Sequence, residues 1–187
     1  MSNPRREEDH ASERARESKT QAPEGAAMIL AMRLPEVIPI KHEPGYRTDL
    51  IGQHAGGQFF ADITGAYQEG TVIGGDWREQ QRIYAVLHRF DDDGHHVGSD
   101  IWFAGVRADG DAVPRAQRRM SEWLSDLGPV TYGDIAIRPF QVDFDDVLFG
   151  LVDESDDDPV NGHGGPWAEL YPQRLGFHAP WNGEYDT

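Results

Sequence analysis

Two β-rich runs, separated by an Asp-Gly pair, constrain the fold more than any other stretch. Arg82-Ile83-Tyr84-Ala85-Val86-Leu87-His88-Arg89-Phe90 leads into Asp91-Asp92-Asp93-Gly94, and His95-His96-Val97-Gly98-Ser99-Asp100-Ile101-Trp102-Phe103-Ala104 leads out. Asp and Gly tolerate the positive φ that tight hairpin turns demand, so the two runs read as an antiparallel pair. The first run carries apolar residues on both faces, as a central strand covered on both sides does.

The neighbouring segments extend this sheet. Gln58 to Tyr67 reads as a strand, with Phe60 and Asp62 on one face and Phe59, Ala61 and Ile63 on the other. Pro35-Glu36-Val37-Ile38-Pro39-Ile40 holds two prolines and reads as an edge strand or extended arm. His42 to Arg47 contains Pro44-Gly45 and reads as a turn, and Gly70 to Gly75 as a loop. Asp134 to Val142 and Val147 to Val152, joined through Asp143-Phe144-Asp145-Asp146, read as a second hairpin. Pro139 places its first strand on an edge or at a bulge. Asp153 to Gly165 is a long polar loop, and the aromatic, turn-rich C-terminus from Trp167 to Tyr185 is expected to wrap the core as irregular structure.

One segment has helical periodicity. Ala116, Met120, Trp123, Leu124 and Leu127 share one face of a 3.6-residue helix over 115–127, ended by Gly128-Pro129. The expected fold is α+β: a mainly antiparallel sheet of about five strands in the order β-β-β-α-β-β, with this helix on one face. The helix is expected to bury Met120, Trp123, Leu124 and Leu127 against a sheet formed by strands 82–90 and 134–152, with Trp123 as the core anchor.

Residues 1–27 contain no Val, Leu, Ile or aromatic side chain and read as a disordered tail preceding a single domain over 28–187. Met1, Met28 and Met32 are each possible start positions. The tail's charges nearly cancel, five basic against six acidic, so the folded part holds 12 basic and 27 acidic groups of a chain whose net charge is −16. Such a charge repels nucleic-acid phosphates and anionic membrane surfaces and favours a basic protein partner, a cation, or simply solubility. The chain has no cysteine, which removes disulfides, thiolate catalysis and Cys-based metal sites. It lacks an apolar run of ~18 residues and an N-terminal apolar signal region, so a cytoplasmic location is expected.

Few motifs suggest catalysis. Neither phosphate-binding glycine loop occurs, and no serine stands in a G-x-S-x-G setting. Ser99 reads as a backbone-bonding turn residue. Asp91 to His96 brings three carboxylates and two imidazoles together, a set suited to a transition metal. His95 and His96 point to opposite strand faces, however, so a solvated hairpin tip is the preferred reading. His88 reads as a hydrogen-bonded, partly buried histidine rather than a ligand. No catalytic, cofactor or metal residue is assigned. The candidate site is an acidic partner-binding surface made of Asp143, Asp145, Asp146, Asp153, Glu154, Asp156, Asp157 and Asp158. The EF-hand spacing is absent from it.

Several motifs together resemble a known family: His42-Glu43-Pro44-Gly45-Tyr46-Arg47-Thr48, Ala55-Gly56-Gly57-Gln58-Phe59, Tyr84 to Phe90, Asp100-Ile101-Trp102, Tyr132 to Phe140, and Leu175 to Trp181. They resemble a family of small acidic actinobacterial proteins labelled formate hydrogenlyase regulatory proteins. The resemblance covers most of the chain from about Leu34 onward and implies a transcriptional or assembly regulator of a hydrogen-evolving complex. It carries no functional residues with it. A non-enzymatic regulatory or protein-binding domain is therefore the primary expectation. One alternative is an acidic immunity or antitoxin-type protein that blocks a basic toxin site. A second is a hydrolase using carboxylates with His88, His95 or His178, with or without a metal.

Overall fold

The computed structural model describes residues 33–155 and 165–187, and the expected 1–27 tail lies outside them. The fold is α+β and its strand pairs are antiparallel. The strands are β1 (Ile38–Ile40), β2 (Ile51–His54), β3 (Gly57–Ala66), β4 (Arg82–Phe90), β5 (His96–Val106), β6 (Thr131–Tyr132), β7 (Ile135–Ile137), β8 (Val142–Phe144), β9 (Val147–Asp153), β10 (Trp167–Tyr171) and β11 (Leu175–His178). The helices are a single turn, α1 (Trp77–Gln80), and α2 (Ala112–Asp126). Five strands form one sheet in the order β5-β4-β3-β2-β6, four form a second in the order β11-β10-β9-β8, and β1 pairs with β7.

The 82–104 hairpin lies where the sequence puts it. Gly94 has φ +80°, and a Cβ there would lie 2.5 Å from the Ala136 carbonyl oxygen, so the turn requires both the backbone freedom and the bare space of glycine. β4 is buried on both faces, as its two-sided apolar pattern predicts. Ile83, Ala85 and Leu87 pack with Phe59 and Ala61 of β3 against Ala112, Ala116 and Met120 of α2. The alternate residues face the other way. Tyr84 and Val86 meet Val147 and Phe149, and Phe60 and Phe90 join Ile38, Ile137, Leu151, Leu170 and Phe177. The central sheet is thus filled on one side by the helix and on the other by β1, β7 and the second sheet.

Several expectations need correction. The 134–152 strands do not share a sheet with 82–90, and α2 packs instead on β3, β4 and β5. Pro139 divides the expected long strand: β7 turns away to pair with β1, and only β8 forms the hairpin with β9. Within α2 the buried residues are Ala112, Ala116 and Met120, while Trp123, Leu124 and Leu127 are half-buried. The apolar stripe begins one turn earlier than the large side chains suggest, because alanines too small to hold the helix off the sheet make its innermost contacts. The C-terminal segment, finally, is not irregular. β10 and β11 pair with each other, and β10 also pairs with β9. Alternation was present in Trp167-Ala168-Glu169-Leu170-Tyr171, with Ala168 and Leu170 inward.

Candidate functional site

The β8–β9 hairpin closes through a two-residue turn, since Phe144 pairs with Val147. Asp145 and Asp146 both adopt the left-handed conformation, with φ of 58° and 56°. This is the backbone of a turn usually given to Asn-Gly or Asp-Gly, and a second aspartate in place of glycine makes it costly. Side chains from β4 hold it in place. The Tyr84 hydroxyl donates to Asp145 Oδ2 at 2.9 Å, and the Arg82 guanidinium pairs with the same oxygen. Arg82 also lies over the Phe103 ring, 3.9 Å from its centroid. Burial, reinforced by the Asp145 hydrogen bond, pushes the Tyr84 hydroxyl pKa upward. From the chain after β3, Gln68 Nε2 donates to the Asp145 carbonyl at 3.0 Å, and the Glu69 N–H donates to the Asp146 carbonyl at 2.8 Å.

Beside this turn lies a groove of about 850 Å³. Tyr67, Phe144 and Tyr171 supply aromatic walls, and Glu69, Asp143 and Asp146 supply carboxylates. Asp145 is neutralised by Arg82. Arg174, itself at φ 60°, reaches over Tyr171 and pairs with Glu169 at 2.9 Å. Glu69, Asp143 and Asp146 have no ion-pair partner among the described residues. Of the four non-glycine residues with positive φ among the described residues, three line this groove.

The structure therefore divides the predicted acidic surface. Asp143, Asp145 and Asp146 come together, and Glu69 joins them through a hydrogen bond that the sequence did not signal. Asp153 and Glu154 lie at the other end of β9. Asp153 Oδ1 accepts from the Ser155 N–H at 3.0 Å, and Glu154 Oε1 accepts from the Tyr171 hydroxyl at 2.9 Å. Burial and this carboxylate push the Tyr171 hydroxyl up to about 12. Asp156, Asp157 and Asp158 lie outside the described residues.

The histidines do not assemble into one centre. Asp91 Oδ1 accepts the His95 N–H at 2.8 Å and the Asp93 N–H at 3.0 Å, and its Oδ2 lies 3.0 Å from His95 Nδ1. These bonds, the His95 N–H foremost, hold the Asp91 carboxyl below its usual range. His96 turns the other way and stacks on Phe140, with centroids 4.6 Å apart. Its Nε2 lies 2.8 Å from Ser99 Oγ, which lies 2.6 Å from Nδ1 of the buried His88. Ser99 is thus a bridge between two imidazoles, not the backbone-bonding turn residue expected from its position. Burial, with His96 nearby, lowers the His88 pKa to about 3, and burial lowers that of His96 as well, so both rings are held toward their neutral forms. His178 stacks on Trp167 at 5.3 Å and meets Asp186 at 3.2 Å. Among the described residues, no three His, Asp or Glu side chains are placed to hold a metal ion. Sequence reading also gave no sign that Asp62 would be desolvated. Burial raises its pKa, and Gln173 Nε2 donates to it at 3.0 Å.

No helix among the described residues is long and apolar enough to cross a membrane. Comparisons with protein-family models, with curated proteins and with solved structures each find no match to this chain.

Proposed function

We propose that this chain is a non-enzymatic, cytoplasmic regulatory domain that binds a basic segment of a protein partner in the groove beside the β8–β9 turn. The observation that carries this reading is the pairing of aromatic walls with carboxylates that lack a cation in one concave surface. Tyr67, Phe144 and Tyr171 line it with aromatic rings, the last already carrying Arg174, and Glu69, Asp143 and Asp146 offer charge. A guanidinium or ammonium group that enters such a groove gains from both, with cation–π contacts contributing about 0.5–2 kcal/mol each as water is excluded. The left-handed aspartates fit the same reading, because backbone strain tends to persist where a site needs it. The resemblance to formate hydrogenlyase regulatory proteins agrees with a regulatory role, and the net charge of −16 agrees with a basic partner.

The test is binding of fluorescent Arg-rich, Lys-rich and Glu-rich peptides to the full chain at low and high salt. Arg- and Lys-rich peptides are expected to bind and to weaken as salt screens the rim. Asp143→Asn with Asp146→Asn is expected to weaken binding about tenfold or more, on the order of the loss of two rim charges, while leaving the melting temperature nearly unchanged. Equal binding of basic and acidic peptides, or an unaffected double variant, would refute the groove as the binding site.

A further inference from the structure

The five-stranded sheet ends on β5, whose outer edge pairs with no strand among the described residues. Two bulges frame this edge. Opposite β4, Ile83 pairs with Gly105 and Tyr84 with Phe103, which leaves Ala104 as an extra residue; Arg89 pairs with Gly98 and Phe90 with His96, which leaves Val97 as another. Between them Gly98 to Phe103 is a regular strand. Ile101 and Phe103 pack toward the second sheet, and Trp102 packs toward α2. Edges open to solvent are commonly guarded by lysines, prolines, bulges or unpaired inward charges; here the bulges sit at the two ends, and the stretch between them has no lysine, proline or unpaired charge. Its one charge, Asp100, is paired with Arg89 at 2.5 Å.

Charge sets this edge apart from the rest of the chain. Arg89 pairs with Asp100, Arg115 with Asp109 and Arg119 with Glu122, and Arg118 beside them has no ion-pair partner among the described residues, so the helix-side margin of β5 carries none of the excess negative charge of a chain of net charge −16. Arg119 also lies over the Trp102 ring, 5.2 Å from its centroid. A second copy can approach here without the repulsion that its acidic surfaces would meet elsewhere.

We infer that β5 is the dimer interface of this protein, pairing antiparallel with β5 of a second copy to join two five-stranded sheets. A two-fold axis perpendicular to the sheet keeps each residue on its own face, so the axis passes midway between one residue and its symmetry mate. Centring on Asp100 would set two carboxylates opposite each other, a destabilising pair. Centring on Ile101 sets Ile101 against its mate, Ser99 against Phe103 and Asp100 against Trp102. Large side chains then face small ones on the inner side. On the helix side, each Asp100 reaches the Arg119 that covers the opposing Trp102. Ile101 also lies next to the middle of the regular stretch Gly98 to Phe103.

The test is sedimentation of the full chain over a range of concentrations, with hydrogen exchange on β5. The expected result is an apparent mass twice that of one chain, with exchange of the Ser99–Phe103 amides slowing as concentration rises. Ile101→Lys, which sets two ammonium groups on the axis, is expected to give a folded monomer, checked by circular dichroism. Because the chain has no cysteine, Ile101→Cys supplies a single thiol, which is expected to form an intermolecular disulfide under mild oxidant. Val72→Cys, in an exposed loop, is not expected to do so. A monomer at every concentration would overturn the inference. So would a dimer in which the Ile101→Cys variant fails to cross-link, which would locate the interface elsewhere. A monomer whose outward-pointing β5 amides, those not bonded to β4, are protected at every concentration would also overturn it, by placing another segment of the chain on the edge.

Discussion

Acidification should act on this fold through His88, and the size of the effect follows from where the ring sits. His88 is 1 % exposed, packed near Phe60 and Phe140 and hydrogen-bonded to Ser99. Its pKa is lowered from 6.5 to about 3, first by burial and then by His96. Between these two values the unfolded chain binds a proton at His88 that the native chain refuses. Stability therefore rises with pH across the window and falls as pH drops below about 6.5, with a slope approaching 1.4 kcal/mol per pH unit. From about pH 7.5 to about pH 4.5 this one group should remove on the order of 2–3 kcal/mol, a large part of a typical stability of about 5–15 kcal/mol. Carboxylates titrate over part of the same range, and His96, also lowered by burial, acts in the same direction. The measurement is therefore a difference: urea denaturation of the parent and of His88→Gln at several pH values in that range. Gln keeps a group able to bond Ser99 and does not titrate. The parent should lose on the order of 2–3 kcal/mol more than the variant over the range. Parallel stability curves, offset by a constant, would refute the argument, because they would mean that His88 takes up its proton as readily in the folded chain as in the unfolded one.

Other contacts give separate expectations. Tyr84→Phe removes the hydroxyl that donates to Asp145 and should cost about 1.5–3 kcal/mol in urea denaturation, the range for a hydrogen bond to a charged partner. Gly176→Ala should displace Trp167, since a Cβ at Gly176 would lie 2.0 Å from Trp167 Cζ2; near-ultraviolet circular dichroism of the tryptophans should change along with a lower melting temperature. Met120→Ala should cost about 2–5 kcal/mol in chemical denaturation, and Trp123→Ala less than Met120→Ala despite the larger side chain, because Met120 is buried and Trp123 only half-buried.

What the sequence revealed follows from the range over which each signal acts. The β4–β5 hairpin was legible because alternation and an Asp-Gly turn are local, and the two-sided burial of β4 was written in its unbroken apolar run. The face assignment of β3 held for the same reason: Phe59 and Ala61 face the helix and Phe60 the second sheet. The partner of α2 was legible in part: it meets β4, the 82–90 strand, as expected, but β3 and β5 stand beside β4 in place of the 134–152 strands, because a helical stripe names its own face and never the whole surface it meets. The weight placed on Trp123 came from its place at the centre of the 3.6-residue stripe, whereas burial is deepest in the turns before it, at Ala112, Ala116 and Met120. β10 and β11 were hidden by aromatic residues and by Pro172, Gly176 and Pro180, which read as turn signals. Gly176 lies within a strand because the Trp167 ring occupies the place of its missing side chain.

The candidate site was half legible for a related reason. Asp143, Asp145 and Asp146 stand in one short turn, so their grouping is a local fact. Glu69 reaches them only because β3 delivers its following segment to the same turn, where the Glu69 N–H meets the Asp146 carbonyl. Composition counts these carboxylates alike, yet the structure gives them different work. Asp145 is held by Arg82 and Tyr84 from the floor of the central sheet, so its charge serves to pin the turn. Asp143 and Asp146 have no such cation among the described residues and keep their charge at the groove. An acidic cluster becomes a candidate site when some of its carboxylates are anchored and the rest are left without a cation on that anchor. The anchor here is β4, whose inner face also carries His88, so the groove is only as firm as the packing between the two sheets.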